Sequence, residues 1–233
     1  PGVLALACRE DIASMRGDGD AYRRLRQAAD AMPARDAMLA RWLDIVLAPM
    51  AERAGDRQAA EGHFRNATAA GADLFAVAQY ADWLLDARRF GDARALLQAH
   101  GAADESAPDN LLLLLAIACG DEAGAGRTDA CAGDRAVLVS RLRARFDEAD
   151  ARGDRVHDRE RALFALVIDR DPARALALAR SNWAQQREPA DARLLARCAR
   201  AAGNAQAIAL LQRDLGAQRI DDPTIMAAPG ARP

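Results

Sequence analysis

The sequence predicts an all-α protein built as an α-solenoid of about six antiparallel helix hairpins. Three observations carry that expectation. About a quarter of the 233 residues are alanine, the best helix former and a residue small enough to let helices close up. β-branched residues are scarce, and no alternating apolar/polar run of useful length marks a strand. A Gly-Asp pair recurs every 36 residues, in GDAYRRL at Gly19, GDRQAAE at Gly55 and GDARALL at Gly91, and such repetition is the mark of a stacked array.

Each Gly-Asp follows one apolar helical stretch and opens another: glycine ends the first helix and aspartate caps the next. On that rule the first three hairpins pair 3–16 with 20–31, 36–53 with 57–70, and 73–88 with 91–100. The second three pair 108–119 with 133–152, 157–169 with 172–187, and 190–201 with 204–215. Asp171-Pro172 and Gly203-Asn204 mark the last two internal turns. Pro49 falls inside a helix and is expected to kink it near Ile45, because the ring crowds that carbonyl. CGDEAGAGRTDAC, residues 119–131, reads as a Gly-rich insertion where a tight turn would serve. The repeat domain then spans 1–216, and 217–233 reads as a Pro-containing, loosely held tail.

Gly55, Ala60, Phe64 and Ala67, with Leu47-Ala48 ahead of them, resemble the tetratricopeptide repeat. Tyr80-Ala81, Leu84, Ala93 and Leu97 occupy the corresponding places in the next hairpin, and Leu195-Ala196, Ala199 and Gly203 resemble another first helix and its turn. The match is good over 36–100, fair over 157–215 and poor over 1–35 and 101–156. Arg88 departs from the pattern at a turn. The resemblance implies a right-handed solenoid whose first helices line a concave groove for a partner peptide. Family members that clamp carboxylates also use lysines and asparagines, which this chain lacks or has few of, so that specialised role is not carried over.

Composition removes several function classes. The formal net charge is −2 and all 32 basic residues are arginine. Without lysine there is no P-loop lysine, Schiff-base lysine or kinase-type ATP lysine. No basic arm interleaved with aromatics points to nucleic acid. The longest apolar run, Leu111 to Cys119, is too short to span a bilayer. Rich in Ala, Arg and Asp, the composition suggests a GC-rich bacterial source. The chain opens at Pro1 rather than methionine, which reads as processing or trimming.

Candidate sites follow from residue type and spacing. Arg193, Arg197 and Arg200 stand at i, i+4 and i+7 on the first helix of the last hairpin. They form either a row that grips carboxylates bidentately or a solvated face. As exposed arginines, Arg193 and Arg197 are expected to tolerate glutamine with little loss of stability. Trp42, Phe75, Asp82 and Trp83 lie on first helices and are candidate partner contacts, Trp83 equally a core residue. Cys8 and Cys198 sit among alanines and leucines as buried small hydrophobes. Cys119 and Cys131 bracket the insertion as either a disulfide or two unrelated thiols. A bridge there would contribute about 3 kcal/mol and implies an oxidising compartment such as the periplasm.

Signals for catalysis are weak. His63, His100 and His157 are isolated in sequence, no metal-ligand spacing occurs, and no serine has a nucleophile setting. GDEAGAGR lacks the strand and lysine of a phosphate loop. Carboxylates on helices are expected to pair with nearby arginines, Asp150 for instance with Arg145 or with the neighbours of Arg152. The expectation is a non-enzymatic protein- or peptide-binding scaffold in a bacterial envelope compartment, with no cofactor and no metal. The alternative is an all-α hydrolytic or carbohydrate-active enzyme using paired carboxylates.

Overall fold

The computed structural model describes residues 2–32, 36–69, 71–124, 131–153 and 158–227. Among them are twelve α-helices and no strand. These are α1 (Val3–Met15), α2 (Ala21–Asp30), α3 (Ala37–Arg53), α4 (Arg57–Ala67), α5 (Leu74–Asp86) and α6 (Phe90–Ala99). They continue with α7 (Asp109–Gly124), α8 (Ala132–Ala151), α9 (Asp158–Val167), α10 (Pro172–Gln185), α11 (Pro189–Ala201) and α12 (Ala205–Ala217). Each expected helix is present within a few residues of its place. α7 is the exception: it runs on through Cys119 to Gly124, so the first part of the expected insertion is helical and only 125–130 lie outside the described residues.

The turn chemistry differs from the simple Gly-Asp rule. At the second hairpin the rule holds: Gly55 takes φ +81°, and the Asp56 carboxylate accepts from the Ala59 N–H at 2.9 Å. At the first, Gly17 rather than Gly19 is left-handed, with φ +85°. A Cβ there would stand 3.0 Å from the Asp221 carboxylate, so the position is closed to larger residues twice over. At the third, Gly91 lies inside α6, and Arg88 makes the turn at φ 59°. Arginine tolerates that backbone at a cost of about 1–2 kcal/mol. Asp171 caps α10 through the Arg174 N–H at 3.0 Å, ahead of Pro172 in the first turn. α3 continues through Pro49 to Arg53.

The chain divides into two compact units, Pro1–Tyr80 with Gln212–Ala227, and Ala81–Leu211. In the first, α1, α2 and α3 pack on one another and α3 packs on α4. Ala7, Ala21, Leu25, Leu43, Met50 and Ala60 form its core. The small residues Ala60 and Ala67 are buried, with Phe64 between them stacked on Tyr80 at 5.3 Å between ring centroids. A small residue on each side lets the helices approach, and the aromatic fills the space that remains.

The segment after α12 also belongs to this unit. The Asp221 N–H donates to the Met15 carbonyl at 2.8 Å, and Asp222, Thr224 and Ile225 are buried. The expected loosely held tail is therefore corrected for 218–227. Residues 228–233 lie outside the described residues.

In the second unit α7 is buried on all sides from Leu111 to Cys119, as an all-apolar helix must be. It packs against α6, α8 and α9, and α9 packs against α10 and α11. Arg145 of α8 reaches Asp109 at 2.7 Å and the Ala107 carbonyl at 2.7 Å. Its expected pairing with Asp150 is not made; Asp150 instead accepts from Arg161. Asp191 is fully enclosed and takes Asn182 Nδ2 and Arg159 Nε at 2.8 Å each, tying α9, α10 and α11 together.

Candidate functional site

The sequence-derived candidates divide between the units: Trp42 and Phe75 belong to the first, Asp82 and the arginine row to the second. Arg193, Arg197 and Arg200 are half-buried on α11. Arg197 sets Nη1 3.6 Å from the Asp86 carboxylate at the end of α5, with side-chain exposures of 26% and 10%. Arg193 and Arg200 are also engaged within the protein. The row is neither an open solvated face nor a set of free cations, and the exposure on which the expected tolerance of glutamine rested is not found at Arg197. Asp86 and Arg197 are far apart in the chain, and their side chains meet.

Asp82 is half-buried, and Trp83 is enclosed as a core residue. Trp42 packs partly buried against the core of the first unit. Phe75 is 54% exposed at the start of α5, next to exposed Leu74, and Met38 is 70% exposed at the start of α3. The Arg41 guanidinium on α3 lies against Gly71, at 3.4 Å from where a side chain would begin. The first turns of α3 and α5 each present apolar side chains to solvent, Met38 on one and Leu74 with Phe75 on the other.

Cys119 and Cys131 are buried and joined by a disulfide, their Cα atoms 5.4 Å apart, within the span such a bond bridges. Cys198 is buried, and burial pushes its thiol up to about 12. Cys8 is exposed, which corrects its expected place in the core.

A polar chain not visible in the sequence crosses the first unit. His63 on α4 holds the Asp44 carboxylate on α3 at 2.7 Å through Nδ1. Its Nε2 lies 3.1 Å from the Tyr22 hydroxyl on α2. A carboxylate only accepts, so Nδ1 carries the proton in the neutral ring and Nε2 accepts from Tyr22. Arg26 Nη1 donates to the same hydroxyl at 3.3 Å. Burial raises the phenol's pKa, against the opposing pull of Arg26. Tyr22 also lines a cavity of about 250 Å³ with Ser14, Asp18, Arg53 and Asp221. The three partners are far apart in the chain, and the only local signal was a histidine one residue before the repeat's aromatic, Phe64. His157 lies outside the described residues.

Ser14 and Arg53 are structural. Arg53 Nε donates to Ser14 Oγ at 2.9 Å, and the guanidinium also pairs with Asp11 and, at 3.7 Å, with Asp222. Arg24 bridges Glu10 and Asp18, its Nε donating to Glu10 at 2.8 Å. Among the described residues no group of three or more His, Cys, Asp or Glu is placed to hold a metal ion, and no helix is long and apolar enough to cross a membrane.

These contacts define an all-helical protein in which large apolar side chains are exposed at several places among the described residues. No family model, curated protein or solved structure matches the chain.

Proposed function

We propose that this chain is a non-enzymatic protein- or peptide-binding module of divergent tetratricopeptide type, working in an oxidising compartment such as a bacterial envelope. The observation that carries the reading is the exposed pair Leu74 and Phe75 at the start of α5, with Met38 likewise exposed at the start of α3. Large apolar side chains gathered at one place on a surface mark contact sites, and an aromatic is the residue type that dominates contact energies. The helix hairpins supply a rigid frame for it. The disulfide supports the compartment, because such bonds persist where the surroundings oxidise.

A hydrolytic reading has one observation in its favour, the cavity beside Tyr22 with Asp18 and Asp221 on its walls. Asp18 is tied up by Arg24, whose hydrogen bond holds its carboxyl below the usual range. That makes it a poor proton donor near neutral pH, and binding remains the better reading.

Selection from a displayed peptide library against the full chain tests the proposal. Ligands should be recovered, and their affinity should drop at least about tenfold in Phe75→Ser. A selection that returns nothing, or ligands indifferent to both Phe75→Ser and Met38→Ser, would overturn it.

A further inference from the structure

The first helix carries a second surface. Its buried side is Ala7, Glu10 and Ser14. On the other side Leu4, Cys8 and Ile12 stand at i, i+4 and i+8, a spacing that aligns them along one stripe. All three are exposed, Leu4 by 54% and Ile12 by 46%. Beside the stripe, Arg9, Ile12, Ala13, Arg16 and Asp18 line a cleft of about 390 Å³.

The charges around this cleft do not cancel. Glu10 is buried and takes Arg9 and Arg24, and Asp18 takes Arg24. Asp11 is turned to Arg53. Two carboxylates therefore balance Arg9 and Arg24, and no carboxylate among the described residues pairs with Arg16. The surface is an apolar stripe with a surplus arginine at its edge.

We propose that α1 is a docking site for an amphipathic helix of a partner protein that carries apolar residues one turn apart and a carboxylate beside them. The apolar residues cover Leu4, Cys8 and Ile12, and the carboxylate meets Arg16 in the cleft. Charge complementarity selects this occupant: a basic helix would add to the surplus charge, and two exposed arginines are far fewer than the basic clusters that hold proteins to anionic bilayers. The site is separate from Leu74 and Phe75 and stands whether or not that pair binds a peptide.

Cys8 provides the readout, since the other three cysteines are bonded or buried. The native, oxidised chain is alkylated with iodoacetamide in the presence of a synthetic helical peptide with leucines one turn apart flanked by glutamates. A counterpart with arginines for glutamates serves as control. The acidic peptide should slow Cys8 alkylation and the basic one should not. Arg16→Glu should raise the concentration for half-protection about fivefold, the upper range for an exposed ion pair. Ile12→Ser should raise it at least about tenfold, and Phe75→Ser should leave it unchanged. The proposal is overturned if the acidic peptide gives no protection, if both peptides protect alike, or if Arg16→Glu is protected as well as the parent. It is equally overturned if the chain alone protects Cys8 by dimerising in sedimentation, or if anionic phosphatidylserine vesicles protect Cys8 while the peptide does not.

Discussion

Arg197 of α11 and Asp86 at the end of α5 form an ion pair at 3.6 Å, both largely withdrawn from water. A charged group in that position costs more to orphan than an exposed one, because its partner is left with neither water nor a counter-charge. Arg197→Gln should therefore lower unfolding stability by about 1–2 kcal/mol. Arg16→Gln, which removes an exposed arginine, should stay within about 0.5 kcal/mol. Urea denaturation of both variants checks this, and equal midpoints would mean the pair contributes nothing.

The disulfide makes a prediction about thiol counts. Native protein should react with a thiol reagent at Cys8 alone, because Cys198 is buried with its thiol pushed up to about 12. Unfolding without reductant should expose Cys198 as well, and reduction should release Cys119 and Cys131. Replacing both bonded cysteines by serine should cost about 3 kcal/mol. Four reactive thiols in unreduced, unfolded protein would rule out the bond.

Ile225 tests the C-terminal segment. Its side chain is 1% exposed within the first unit, and large-to-small changes at such sites cost about 2–5 kcal/mol. Ile225→Ala should fall in that range by thermal or urea unfolding. An unchanged melting temperature would show a segment that is not packed in solution.

Tyr22→Phe keeps the ring and removes the hydroxyl that donates to His63 Nε2. The histidine nitrogen then loses its donor in a part-buried site, at a cost of about 1–2 kcal/mol. A double-mutant cycle with Asp44→Asn should show coupling, since both act through one ring. Strict additivity would mean the three residues do not form one chain.

Acid should weaken the fold through Glu10. Burial raises its carboxyl pKa, but hydrogen bonds from Arg24 and Arg9 outweigh that and leave it below the ordinary value. A carboxylate depressed in the native state stabilises above its unfolded value, about 4.3. That stabilisation is lost as pH falls through the lower native value. The urea midpoint should drop on acidification below about pH 4, and Glu10→Gln should flatten that drop. An unaltered pH profile in the variant would show that Glu10 is not held ionised by its arginines.

The positions of the helices could be read from the amino-acid order, because their determinants are local. Asp56 and Asp171 cap the helices that follow them. The burial of Ala60, Phe64 and Ala67 follows from a spacing that places them on one helical face. Cys119 and Cys131 are close in the chain, so their pairing was an open possibility from spacing alone. Even local reading failed where two residue types can serve one turn, as with Arg88 in place of Gly91.

Only the tertiary structure decided the partners of charged and polar side chains. The chain has 32 arginines and 34 acidic residues, and along any one helix several pairings look equally good. Arg145 had Asp150 within reach on its own helix and takes Asp109 instead. The same holds for Arg197 with Asp86, His63 with Asp44 and Tyr22, and Arg53 with Asp222. Each joins residues whose separation along the chain carries no signal. Hydrogen-bond and ion-pair geometry is satisfied only once packing has brought two helices together, so these contacts are consequences of the fold rather than of local sequence.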